Sequence, residues 1–282
     1  TLETHLSKFD FELPSELIAQ KPLQKRGQSR LLVVDRKNKT LLHDIFSNLS
    51  QYLNFRPLMV FNNTRVIPAK IFGILPHNRK ILEMILVRPI SCSTWEVLMK
   101  GKMKPETRLV FPESKMTGKF IKRNEEYAVI EFSPYSALES HLKNYGRMPL
   151  PPYISRKKDD SPFTWKEDKV RYQTVYASQS GAIAAPTAGL HFTKTHLKNL
   201  KADQIGMAHL TLHVGSGTFK PIRTEDYSKH QMEPETFRIT PKNWNLIFES
   251  KKKGQSILAV GTTSTRVLET QEFKRPIRNT RT

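Results

Sequence analysis

Between Lys80 and Phe132 the chain runs through KILEMILVR, STWEVLMK, RLVF, GKFIKR and YAVIEF in close succession. Gly, Pro, Asn and charged residues break each run from the next. Short β-like segments at this density must pair with one another. The sheet they form can bury its apolar face only by closing on itself or packing on a second sheet. Residues 66–144 therefore read as a small, mainly β, barrel-like domain that closes with a helical pattern, YSALESHLKN, over Tyr135–Asn144.

The flanks have a different grammar. RLLVVD, Arg30–Asp35, reads as a buried strand before the turn RKNK, and PLMVFN, Pro57–Asn62, as a second. After the Pro-rich connector MPLPPYI, the polar stretch Ser155–Lys169 reads as an exposed loop. Thr193 is placed to cap a helix that Gly206 would end. In MAHLTLHV, Ala208, Leu210, Leu212 and Val214 face one way, and His209, Thr211 and His213 the other. Thr240-Pro241 opens a helix with Trp244, Ile247 and Phe248 as its apolar stripe, and Gly254 stops it. SILAV is a further buried strand. Strands and helices alternating in this way predict an α/β layer. The expected fold class is α/β. Residues 1–65 and 145–282 form the main α/β domain, with the small β-barrel-like domain inserted at 66–144.

With 46 Lys+Arg against 26 Asp+Glu, the formal charge is +20. Such a surplus favours a polyanionic partner, because neutralising phosphates releases counterions. The plainer reading is a solvated, Lys-rich surface. No apolar run reaches the ~20 residues a membrane span needs, and TLETHLSKFDFELP lacks the basic start and apolar stretch of a signal peptide. The single cysteine, Cys92, excludes an internal disulfide and fits a reducing compartment. The expectation is a cytoplasmic, monomeric protein without membrane partners.

Polar clusters follow several strands, where ligands of α/β sheets sit. Asn62, Asn63 and Thr64 offer adaptable donors and acceptors, and Arg65 can grip a carboxylate or phosphate. An Asx-type turn explains the same residues. In HVGSGTF, Gly215 and Gly217 allow close approach of backbone to ligand, beside Ser216 and Thr218. The spacing is not that of a dinucleotide fingerprint. In GTTSTR, Gly261, Thr262, Thr263 and Arg266 suit an anion at a helix start, or simply cap a helix. No Walker A sequence, zinc spacing or Ser-centred elbow occurs, so metal and nucleoside-triphosphate chemistry have no support. The least expected text is GAIAAPTAGLHFT, which sets His191 in an uncharged segment with Pro186, Thr187 and Gly189. A satisfied core histidine and a dry catalytic imidazole both fit.

Taken together, FDFELPSELIAQKPLQKRGQSRLLVVDR, FNNTRVIPAKIFG, MPLPPYI, YQTVYASQSGAIAAPTAGLHFT, LTLHVGSGTFKPI and ILAVGTTSTRVLE resemble the S-adenosylmethionine:tRNA ribosyltransferase-isomerases, in order from about residue 8 to 269. The resemblance implies an α/β domain with an inserted β-barrel-like domain. It also implies S-adenosylmethionine as co-substrate, no metal, and a tRNA carrying 7-aminomethyl-7-deazaguanine at the wobble position. The ribosyl moiety would be transferred and isomerised, giving epoxyqueuosine, adenine and methionine. Side-chain chemistry then suggests His191 as the acid/base, with His213 and His230 as rivals. Glu235 would hold a ribose hydroxyl or the substrate amine, and Arg65 a methionine carboxylate or tRNA phosphate. His191 is expected to share its cleft with the 213–218 loop and Arg65. Three departures stand out. Gln271–Thr282 matches neither the aromatic-Pro-Gly nor the TNFHLP-like motif that usually follows, so the last part of the main domain is expected to be absent. Glu233 and Arg147 stand where relatives usually carry His. The alternatives are an S-adenosylmethionine-dependent RNA methyltransferase and an inactive RNA-binding protein.

Overall fold

The computed structural model describes residues 5–124, 126–156, 161–219, 222 and 224–271. Strands β1 (Arg30–Asp35) and β2 (Thr40–Ile45) form an antiparallel hairpin. They are followed by β3 (Leu58–Asn62) and the short β4 (Thr64–Val66). Next come β5 (Lys70–Ile74), β6 (Ile81–Pro89), β7 (Thr94–Met99), β8 (Arg108–Phe111), β9 (Met116–Arg123) and β10 (Ala128–Ser133). These six close into a barrel in the order β10-β7-β6-β5-β8-β9. Closure removes every sheet edge, which is how so short a β unit avoids presenting unpaired backbone. The barrel core is Ile71, Met84, Leu86, Val97, Leu109, Phe111, Ile130 and Phe132, with Leu138 of helix α1 (Ser136–Tyr145) packed against it.

The chain then passes through helix α2 (Pro162–Arg171), strand β11 (Gln179–Ala182), helix α3 (Lys194–Ala202), strands β12 (Gly206–Leu212) and β13 (Phe237–Arg238), helix α4 (Pro241–Lys252), strand β14 (Ile257–Ala259) and helix α5 (Thr262–Glu269). Strands β12, β3 and β14 are parallel, and β13 adds an antiparallel edge. Every residue of β3 is buried, as expected of a central parallel strand covered on both faces. Leu58, Val60, Ala208, Leu210 and Leu212 meet Ile247 of α4 and Val267 and Leu268 of α5. Met59, Phe61 and Val260 meet Phe192 and Leu200 on the other side. Beside this sheet, β11 pairs in parallel with β4.

Mixed helices and strands with a barrel agree with the expected class, and several local readings need correction. The hairpin strand β1 is not buried: Leu32 and Val34 are more than half exposed, and so is Leu41 on β2. The stretch 155–169 contains most of α2, which Ser161 caps through Thr164 N–H, with Pro162 at its first position. Its few apolar residues hid the helix. Helix α3 ends at Ala202, and the left-handed residue of the turn is Gln204 (φ 61°); Gly206 already belongs to β12. Of the segment expected to depart from the family pattern, Gln271–Thr282, residues 272–282 lie outside the described residues.

Candidate active site

The C-terminal ends of β3 and β12 meet at Asn62, which is fully buried. Its amide bonds both polar groups of Leu212: Nδ2 donates to the carbonyl at 3.0 Å, and Oδ1 accepts from the N–H at 3.0 Å. Nδ2 also donates to Thr263 Oγ1 at 3.2 Å, and Oδ1 accepts Thr64 N–H at 3.2 Å. Asn62 is thus used up in tying β3, β12 and α5 together. Asn63 accepts from Thr211 Oγ1 at 2.7 Å. Thr64 Oγ1 lies 2.8 Å from His213 Nδ1. Burial holds the His213 imidazole below its ordinary pKa. A Cβ at Gly181 (φ 150°) would sit 2.9 Å from that ring, so glycine lets β11 press against it.

Just past His213, Gly215 donates its N–H to Glu235 Oε1 at 2.9 Å. Glu235 Oε2 accepts from Arg266 Nη1, and Arg266 Nη2 donates to the carbonyl of Glu233 at 3.0 Å. Arg266, read as an anion contact, is therefore paired with Glu235, and Glu235 shapes the loop. A Cβ on Gly215 would meet nothing within 4 Å, so this stretch of backbone has open space beside it.

The PTAGLH segment folds as a 3-10 turn over Thr187–His191, behind buried Ala182–Pro186. At Gly189 a Cβ would stand 2.0 Å from the buried Tyr176 hydroxyl, so no larger residue fits. Ala188 comes within 3.2 Å of where a Cβ of Gly261 would be, which sets the turn beside the start of α5. His191 lies against Phe46, with ring centroids 5.2 Å apart. It lines a cleft of about 350 Å³ together with Thr187, Arg26, Lys25, Tyr153 and Tyr172. Burial, and then the Arg26 charge, lower its pKa. Arg26 donates to the carbonyls of Val170, Arg171, Gln173 and Leu190, at 2.7–3.2 Å. It thereby fastens the His191 turn to the end of α2.

The expectation of one cleft shared by His191, the 213–218 loop and Arg65 is corrected. The lining of the His191 cleft comes instead from residues 19–29, 150–156, 168–172 and 187–191. Arg65 is exposed, with Nη2 bonded to the Ala177 carbonyl at 2.6 Å. Thr262 is exposed on the first turn of α5. His230 follows a 3-10 turn at Tyr227–Lys229, and no described side-chain bond joins it to the Glu235 network. Gly217 lies against Glu233, while the Thr218 side chain is outside the described set. Sequence reasoning missed Arg26, Tyr127, Tyr176 and His209, whose ring stacks on Phe61 at 5.8 Å. For His209 the signal existed: it shares a strand face with His213.

The strand ends of the parallel sheet carry one partly buried histidine, His213, and a separate cleft carries a second, His191. The chain belongs to the queuosine biosynthesis protein family, matching over residues 6–281. It is 41% identical to the S-adenosylmethionine:tRNA ribosyltransferase-isomerase of Sulfurihydrogenibium sp., over 94% of this chain and 77% of that protein. The proteins of that name from Halothermothrix orenii and Desulforamulus reducens are 43% and 44% identical, over 94% of this chain and 76% of theirs. A crystal structure of S-adenosylmethionine tRNA ribosyltransferase from Thermotoga maritima is 26% identical, covering 94% of this chain and 72% of that one, with a TM-score of 0.43. Among the described residues, no helix is long and apolar enough to cross a membrane.

Proposed function

We propose that the chain transfers the ribosyl moiety of S-adenosylmethionine to 7-aminomethyl-7-deazaguanine at the tRNA wobble position and isomerises it. The products are epoxyqueuosine-tRNA, adenine and methionine. The observation that carries this reading is the match, over 94% of the chain at 41–44% identity, to proteins named for S-adenosylmethionine and tRNA. A methyltransferase reading would need the Gly215–Gly217 loop as a cofactor cradle, whereas the relatives named above are ribosyltransferase-isomerases.

The site chemistry fits the reaction. The sulfonium acidifies the adjacent ribose carbon, so a neutral base must take its proton. Adenine leaves more readily when protonated. Imidazoles kept unprotonated by burial serve the first role at neutral pH, and their conjugate acids the second. His191 and His213 both meet that requirement. His191 lines a cleft of about 350 Å³, to which Lys21 and Lys25 contribute exposed cations and Tyr153, Tyr172 and Leu150 aromatic and apolar surface. Aromatic and apolar surface together with cations suits a nucleotide with its phosphate. Arg65, anchored by one nitrogen, keeps the rest of its guanidinium for a carboxylate or phosphate.

The test is a mass-spectrometric assay with S-adenosylmethionine and tRNA bearing the aminomethyl-deazaguanine base. Adenine and methionine should appear in step with the mass gain on the tRNA. S-adenosylhomocysteine with a methyl gain would establish the methyltransferase instead. Tight tRNA binding with no product would leave an RNA-binding protein.

A further inference from the structure

The Gly215–Gly217 loop is held by a ring of side chains that begins in the barrel. Tyr127 stands just ahead of β10. Its phenolic oxygen lies 2.6 Å from Ser216 Oγ and 2.9 Å from Glu233 Oε1. Ser216 is 1% exposed and donates to Glu233 Oε2 at 3.2 Å. The Glu233 carbonyl accepts from Arg266, Arg266 pairs with Glu235, and Glu235 accepts the Gly215 N–H. The loop is thus gripped at Gly215 by Glu235, just ahead of β13, and at Ser216 from the barrel. Gly217 packs on the same Glu233, with a Cβ position 3.3 Å from its carboxylate.

We infer that Tyr127 is a positioning residue: the barrel sets the conformation of the 215–217 loop through Tyr127, Ser216 and Glu233. The barrel closes on itself, and its core also takes in Ile183 of the main domain, whose N–H donates to the Val214 carbonyl; Tyr127 is the polar contact that reaches the loop itself. Gly215 has open space beside it, and backbone at such a place is where small shifts would be felt by a bound ligand. The catalytic consequence rests on the function proposed above; the mechanical link does not.

Tyr127→Phe keeps the ring and removes the hydroxyl. Hydrogen–deuterium exchange should then speed up about tenfold at the amides of residues 213–217, the size expected for one lost bond to a charged group. Amides of residues 94–99 and 116–123 should exchange as before, and the thermal midpoint should stay within a few degrees. Tyr127→Phe combined with Ser216→Ala should add little beyond the larger single effect, because the two share one contact set. In the adenine-release assay, kcat should fall while tRNA affinity holds. Unchanged exchange at 213–217, or equal acceleration in the barrel, would overturn the link. Faster exchange with unchanged kcat would overturn its catalytic consequence. An unmodified chain that releases no adenine would count against the proposed function alone, since the exchange arm stands without it.

Discussion

Thr64 Oγ1 and His213 Nδ1 lie 2.8 Å apart, so the residue that opens β4 orients the imidazole just past the end of β12. Thr64 is itself fully buried. Thr64→Val keeps the shape and leaves the ring nitrogen without its partner, which should cost about 1–2 kcal/mol. Turnover should fall about tenfold, and Thr64→Ser should recover most of both losses. Denaturant titration and adenine release measure the two. Full turnover in the valine variant would mean that the hydroxyl does not orient His213.

His191→Phe should keep the fold, because a phenyl ring fills the same space and retains the contact with Phe46. Turnover should be abolished while tRNA affinity is preserved. Near-normal adenine release would remove His191 from the chemistry and restore the reading of a core histidine.

The pH dependence of stability has a definite sign. Burial lowers the pKa of His141, His191, His209 and His213 from the ordinary value of about 6.5. The unfolded chain therefore binds protons that the folded chain refuses. The stability these groups contribute is complete above pH 6.5 and drains away as pH falls through the depressed folded values. The urea midpoint should drop between pH 7 and pH 5. His209→Phe, which preserves a ring against Phe61, should flatten part of that slope. A midpoint that rises on acidification would contradict the assignment.

Gly189→Ala forces a methyl to within 2.0 Å of the Tyr176 hydroxyl and 2.8 Å of Thr174 Cγ2. Overpacking of this kind costs about 1–3 kcal/mol. The Tyr176 hydroxyl is buried without a hydrogen-bond partner among the described residues, and burial raises its pKa. Tyr176→Phe alone should thus be neutral or slightly stabilising, and the double variant should regain part of the loss in thermal midpoint. Strict additivity would show that the hydroxyl is not what the methyl strikes.

The +20 charge should make tRNA binding steeply salt-dependent. Affinity measured from 50 to 200 mM salt should fall by orders of magnitude if several phosphates are contacted. A flat response would place recognition in neutral contacts instead.

The barrel and the buried sheet were legible because their signals are local: dense short strands in one case, and PLMVFN and SILAV in the other. The β1–β2 hairpin was misread because RLLVVD is as apolar as a buried strand, and only the absence of covering elements, a tertiary fact, exposes it. The motifs marked where polar groups gather but not how they divide. Asn62 and Arg266 looked like ligand contacts; the Asn62 amide N–H groups are taken by Leu212 and Thr263, and Arg266 gives two of its bonds to Glu233 and Glu235. Arg26 was invisible because its partners are carbonyls more than 140 residues away, which no spacing rule can reach.

Strand β3 pairs with β12 and β14, which begin only at Gly206 and Ile257, while the six barrel strands lie between Lys70 and Ser133. As the chain leaves the ribosome, the barrel can close long before the central strand finds a neighbour. Leu-Met-Val-Phe-Asn must wait, fully apolar but for its last residue, until the chain has reached Gly206 for one neighbour and Ile257 for the other. The strand that carries Asn62 is thus the first part of the main sheet to be synthesised and among the last to be covered, and nascent chains are most exposed to misassociation at that point.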